Sequence, residues 1–561
     1  MKEQTVLEDS STSFAGASSN PISEKEPMSA RNMKTYQPTV LRTFEMKERE
    51  KYKPTEFKKK KIDDLILQMV TMDLQPISIV EDRGFKELLN FIDPRYPMVS
   101  RKHLTQTLLP TKYHEEKTKL MMNLSKTDFV SITTDQWTSR ANEGYTTFTC
   151  HFIDDKWSMQ TSVLSTRSER KSHSAINLAS DMKKCLEEFD LIQKVSAVVT
   201  DNAKNATNSV AIAEASQDIE GGNPCFAHTL NLVVKHSLED DKITHKMIAK
   251  VKNIVQHFRS STQANDELRN AMKDDYRKLK QQVETRWNSC FAMLESYKDQ
   301  HKSICSVLAQ RGKAHMCISE TEFDSLKATV DVLGVFLKAT EEMSAERYPS
   351  ISKAIPMVKQ LKAKTYESKT NLSKHLSNYL NSYFSHIEES TLLLKSTFLD
   401  PRYKQSQFSD DIVKKNTEEI IKTEIGELLL PSTYQELNDQ PKESDDGGVK
   451  KKKKTYDLWE QFDEELEEEK KAPTKKNAVD VEYDTYMNLD RLHRKEDPLT
   501  WWMKHETHLP RLARLAKKYL AVPSSSVPSE RVFSKAGELV SARRANLNPK
   551  NVDMIIFFAV Q

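Results

Sequence analysis

The stretch 129–200 reads strand, strand, strand, helix, strand, and it limits the possible folds more than any other part of the chain. Phe129 to Thr134 forms a first strand that leads into Asp135. Tyr145 to Ile153 alternates, with Phe148, Cys150 and Phe152 on one face. Trp157 to Leu164 alternates again, with Trp157, Met159, Thr161 and Val163 sharing a face. The linkers between the three are short, which predicts an antiparallel meander. Leu178, Met182, Cys185 and Phe189 then mark an amphipathic helix. Val195 to Thr200 is nearly all apolar, as expected of a strand buried on both faces.

At 561 residues the chain needs several domains. Residues 1–61 have the composition of a disordered basic tail ending in Lys58 to Lys61, a run that suits nuclear import, a phosphate contact or plain solvation. Residues 62–119 are expected to form a helical module. Ile62, Leu65, Ile66, Met69 and Val70 fall on one face, and Phe85, Leu88, Leu89 and Ile92 repeat the pattern until Asp93-Pro94 stops it. Residues 120–240 hold the first part of the sheet core, and 241–434 read as a large all-helical insertion. Residues 435–480 carry opposed charge blocks, including Lys450 to Lys454, and are expected to be exposed and flexible. Residues 481–561 return to helix, with starts at Pro498, Pro510, Pro528 and Pro549.

The net charge of +3 means that any nucleic-acid contact uses local patches. The six cysteines are scattered behind no signal peptide, so reduced thiols in an intracellular protein are expected. The apolar run Met554 to Val560 is too short to span a bilayer, and no membrane partner is expected.

Three acids stand out: Asp135, Asp201 and Glu530. The first two are expected at strand ends and the third at the start of a helix. Carboxylates placed this way can hold two divalent ions for phosphoryl transfer. Mg2+ or Mn2+ would suit such hard oxygen donors. Each acid taken singly also fits a turn or a helix start. Cys225 and His228 are neighbours at three-residue spacing. They supply two ligands where a structural zinc needs four, so structural zinc is not expected. His151 and His173 have no partner that the sequence identifies.

These residues resemble the hAT superfamily of DNA transposases and the host proteins related to it, including the zinc-finger BED-domain proteins. The marks are Thr134-Asp135-Gln136-Trp137-Thr138, Thr200-Asp201-Asn202-Ala203-Lys204-Asn205, Cys225 to Leu232, Thr285-Arg286-Trp287-Asn288-Ser289, and Pro523 to Gly537, all in the family's order. The resemblance implies α/β plus α architecture: a ribonuclease-H-like mixed sheet interrupted by the helical insertion. A helical N-terminal module resembling the hAT region for DNA binding and dimerisation precedes it, and a helical C-terminal dimerisation region follows. In that fold the fourth strand lies parallel to the first, which would bring Asp135 beside Asp201.

The resemblance also implies that Asp135, Asp201 and Glu530 are a metal-binding catalytic triad, using Mg2+ or Mn2+ if catalysis is retained. Cys225 and His228 would lie near the active site. Arg286 and Trp287 would contact DNA, with the indole stacking on a displaced base. The chain has no cysteine before Cys150, so the N-terminal BED finger is expected to be absent from it. The expected function is a nuclear, DNA-binding, self-associating protein derived from a transposase. The alternatives are an active transposase and a protein-interaction scaffold.

Overall fold

The computed structural model describes residues 50–138, 143–169, 174–283, 287–345, 348–428, 477–539 and 547–560. Its centre is a five-stranded sheet in the order β3-β2-β1-β4-β5. β1 (Val130–Thr138), β2 (Gly144–Ile153) and β3 (Met159–Glu169) form the antiparallel meander, and β4 (Val195–Thr200) lies parallel to β1. β5 (Gly222–Pro224) adds a parallel edge. Gly222 is required there, because a Cβ would meet the Val210 side chain at 2.4 Å.

The helices follow in chain order. α1 (Phe57–Thr71) and α2 (Arg83–Ile92) make the N-terminal module, and a helical lead over 101–108 runs into α3 (Leu109–Ser125). α4 (Ala175–Glu188) and α5 (Lys204–Ala215) flank β4. The insertion comprises α6 (Phe226–Asp240), α7 (Lys242–Ser260), α8 (Thr262–Met272), α9 (Trp287–Gln310), α10 (Glu320–Met343), α11 (Ala354–Ser368), α12 (Asn371–Tyr383), α13 (Thr391–Phe398) and α14 (Asp411–Glu427). α15 (Ala478–Asn488), α16 (Pro498–His505), α17 (Pro510–Leu520), α18 (Val527–Leu539) and α19 (Pro549–Val560) close the chain.

The two-residue period of β1 assigns its faces. Val130 and Ile132 join Phe148, Cys150, Phe152, Val198 and Leu164 in one core, covered by α3, α4, α5 and Phe557 of α19. The other face carries Ser131, Thr133 and Asp135, beside Thr149 and His151 of β2. That face is polar yet buried: Ser131, Thr133 and Thr149 are 0% exposed. The C-terminal helices cover it, and the Ser131 hydroxyl donates to the Ala521 carbonyl just after α17 (3.0 Å). The C-terminal helices thus complete the sheet core.

Several expectations need correction. Lys58 to Lys61 do not belong to the tail; they form the start of α1, where Lys58 pairs with Asp93 and Lys59 with Asp63. Residues 1–49 of the expected tail lie outside the described residues, as do Lys450 to Lys454, while Tyr52 is buried. α3 runs beyond residue 119 to Ser125, because Leu120 and Leu124 are part of the sheet core. Trp157 is not on β3; it sits in the preceding turn with φ at +57°, its indole N–H donating to Glu506 (2.9 Å). The insertion opens earlier than residue 241, at α6, and α15 starts inside the segment expected to be flexible.

Candidate active site

The strand pairing brings the first two acids level. Thr133 of β1 is opposite Val199 of β4, and the strands are parallel. Two steps further along each lie Asp135 and Asp201. Asp135 is not at the strand end but within β1, opposite Thr147 of β2. Asp201 follows β4 directly and precedes α5, where a helix N-terminus favours negative charge.

Glu530 arrives from the far end of the chain. It lies in the first turn of α18. Ser529 beside it is held by two hydroxyls from the sheet, Thr133 at 2.8 Å and Thr149 at 3.3 Å. Thr133 shares its strand face with Asp135, so α18 sits on the face that bears the acid. The loop before α18 is fixed equally well. The Ser526 N–H points at the Cys225 sulfur (3.3 Å), and the Phe226 N–H donates to the Ser524 carbonyl (2.9 Å).

Cys225 links the parts. Its N–H donates to Thr200 of β4 (2.8 Å), and its sulfur caps α6 by accepting from the His228 N–H (3.4 Å). Burial pushes the Cys225 thiol up, and the nearby Glu530 carboxylate adds to the effect. Cys225 is therefore the junction between β4, α6 and the loop leading into α18, with His228 supplying a backbone N–H to its sulfur. Asn202 ties the loop after β4 to the same helix through Thr229 (2.9 Å).

The three acids share this neighbourhood without forming a ready set of ligands. One Asp135 oxygen accepts from the Gln136 N–H (2.8 Å), and one Asp201 oxygen from the Ala203 N–H (3.2 Å). Among the described residues, no group of three His, Cys, Asp or Glu side chains is placed to hold a metal ion. The donor type of the three carboxylates suits Mg2+ or Mn2+.

Trp287 starts α9 and is 6% exposed, packed in the large helical core. Its N–H points at the Asn231 side-chain oxygen (3.4 Å), and it walls a cleft of about 400 Å3 with Lys235, Lys252 and Gln282. Arg286 lies outside the described residues.

Sequence reasoning missed the polar layer beneath the acids. His151 is 2% exposed, and burial pushes its imidazole down to about 3. Its Nε2 meets Thr133 (3.1 Å) and its Nδ1 meets Thr161 (3.0 Å). The chain of contacts Thr161–His151–Thr133–Ser529 thus crosses three strands and ends beside Glu530. The only sequence signal was the polar face of β1 and β2. Its partner in α18 lies 396 residues away.

Three regions match described families. Residues 133–221 match the ZBED1 RNase-like domain, and 223–331 match the ZBED1 RNase-like helical domain. Residues 482–559 match the hAT family C-terminal dimerisation region. The chain is a hAT-derived protein of the BED zinc finger kind. The hAT-derived chain is similar over most of its length to human zinc finger BED domain-containing protein 4, at 26% identity over 531 residues, covering 89% of this chain and 43% of that protein. A Zea mays protein named for the AC transposase is 25% identical over 531 residues, covering 87% and 63%. A Talaromyces stipitatus protein named as a transcriptional regulator is 22% identical over 534 residues, covering 88% and 61%. The hAT-derived chain therefore spans between about four and six tenths of the length of these relatives. No helix among its described residues is long and apolar enough to cross a membrane.

Proposed function

We propose that this hAT-derived protein is a nuclear, self-associating DNA-binding protein that serves as a domesticated regulator. The observation that carries the reading is the Ser529–Thr133 contact. Through it the C-terminal region is built into the sheet, so the hAT core is assembled rather than fragmentary. The relatives named for a transposase and for a transcriptional regulator support the same reading. The catalytic alternative would need Asp135, Asp201 and Glu530 to hold divalent ions in common.

DNA binding is tested by fluorescence polarisation of duplex DNA over a salt series. Phosphate contacts release counterions, and each adds about 0.9 to the slope of log affinity against log salt. Six or more contacts would cost about a thousandfold or more in affinity between ~50 and ~200 mM salt. A steep fall of this kind is the expected result. Undetectable binding at low salt, or a flat slope, would contradict the DNA-binding reading and favour a scaffold.

A further inference from the structure

We propose that Cys305 and Cys317 are a reversible oxidation site, which hydrogen peroxide or a related hydroperoxide converts from two thiols to a disulfide. The caps of two helices bring the pair together. α9 ends at Gln310, and Gly312 follows with φ at +68°, a conformation that glycine adopts at no steric cost. The chain then turns back, and the Lys313 N–H donates to the Leu308 carbonyl (2.8 Å), as in a Schellman cap. On the far side Ser319 caps α10 in a reciprocal capping box with Glu322. Cys317 is held between these two caps, and its thiol donates to the Cys305 carbonyl (4.0 Å). The two thiols are also in hydrogen-bond contact with each other. Both residues are half-buried, whereas Cys150, Cys185, Cys225 and Cys290 are at most 1% exposed.

The surroundings favour dithiol chemistry over shared ligation of an ion. His301 lies one turn before Cys305, whose sulfur stands 3.7 Å from Nδ1 and 4.0 Å from Nε2. Such similar distances set the sulfur across the ring and not along one nitrogen's lone pair. Nδ1 also meets the Tyr297 hydroxyl (3.1 Å), and the ring stacks on Phe323 with centroids 3.8 Å apart, so the imidazole is fixed in this pose. Burial and the adjoining Cys317 thiol push the Cys305 thiol up to about 12. Cys317 is therefore the thiol that reacts first, and Cys305 is the one that resolves. The Cys317 thiolate attacks a peroxide oxygen: an S–O bond forms, the O–O bond breaks, and the leaving hydroxide becomes water with the proton that the thiol gave up. Cys305 then attacks the Cys317 sulfur: the S–S bond forms, the S–O bond breaks, and the departing hydroxide takes the Cys305 proton as a second water. The disulfide ties the end of α9 to the lead of α10. α10 ends at Met343, whose carbonyl accepts from the Ser524 hydroxyl before α18 (2.6 Å), so the oxidised corner stiffens a helix that seats this loop.

The test treats the folded full chain with hydrogen peroxide, alkylates the free thiols after unfolding, and maps the peptides. The expected product links positions 305 and 317, leaves four of the six cysteines alkylatable, and reverts with dithiothreitol. The oxidised chain should also melt at a higher temperature, because the closed loop restricts the unfolded chain. Cys305→Ser should show no such rise, and its Cys317 should run on to sulfinic acid. Oxidation of Cys317 in the wild type without the 305–317 link overturns the proposal. So does a chain whose two thiols both stay alkylatable at peroxide doses that oxidise the exposed Met72. Protection of both thiols that a chelator abolishes would make the corner a metal site and overturn it as well.

Discussion

Replacing His151 by Leu should lower stability at pH 7 by about 1–3 kcal/mol in urea unfolding. The imidazole is the shared partner of the buried Thr133 and the half-buried Thr161. Removing it takes away the Thr161 hydroxyl's partner and leaves Thr133 with Ser529 alone, and an unsatisfied buried polar group costs roughly 1–3 kcal/mol. The loss also loosens the seat of Ser529, and with it the first turn of α18. The same substitution should change the response to acid. The folded-state imidazole titrates at about 3, below its ordinary 6.5. Between these values the unfolded chain binds more protons, so stability is full above about pH 6.5 and falls as the pH drops towards 3. The slope from one such group is about 1.4 kcal/mol per pH unit. Asp553 works in the opposite sense, since burial pushes its carboxyl up to about 6. The His151 effect is therefore read as wild type minus variant. Equal acid slopes in the two chains would remove His151 from the account.

Arg402→Ala should cost about 3–5 kcal/mol, because it leaves a buried carboxylate without its counter-charge. Asp400 is 0% exposed and takes two bonds from the Arg402 guanidinium (2.8 and 2.6 Å) and one from Ser352 (2.7 Å). This pair orders a hub between the insertion and the C-terminal region. The Phe398 carbonyl accepts from the Tyr486 hydroxyl and the Leu399 carbonyl from the Trp502 indole, both at 2.8 Å. Lys404 reaches the Tyr486 carbonyl (2.6 Å) and that of Leu489, capping the end of α15. The second expected sign of damage is local. Amide exchange should rise across residues 477–520 before it rises in β1 and β4. Unchanged protection in that segment would mean that the pair does not anchor it.

The meander, the buried fourth strand and the proline-started C-terminal helices were legible because each is a local pattern. Ile132 against Thr133, or Leu512 against Arg511, declares a face within a few residues. β5 was not legible: Gly-Asn-Pro carries no alternation, and it pairs only because Gly222 lets the backbone approach Val210. Leu88 and Ile92 fit a helical stripe, but spacing cannot tell whether a stripe is covered by the same chain. Lys58 read as tail because its partner, Asp93, is 35 positions on and on another helix. At the site, Asp135 and Asp201 could be aligned by analogy of strand order. The polar layer could not, because His151 and Thr133 gain their meaning only when Ser529 arrives from the other end of the chain.

The meeting of β1 with α18 is the claim on which the site depends, and a covalent link tests it without assuming any activity. In the double variant Thr133→Cys/Ser529→Cys, the replaced hydroxyls stand 2.8 Å apart. Mild oxidation of the folded chain should join positions 133 and 529 in a disulfide, found by peptide mapping and absent from either single variant. A folded double variant that never yields the 133–529 peptide would contradict the account.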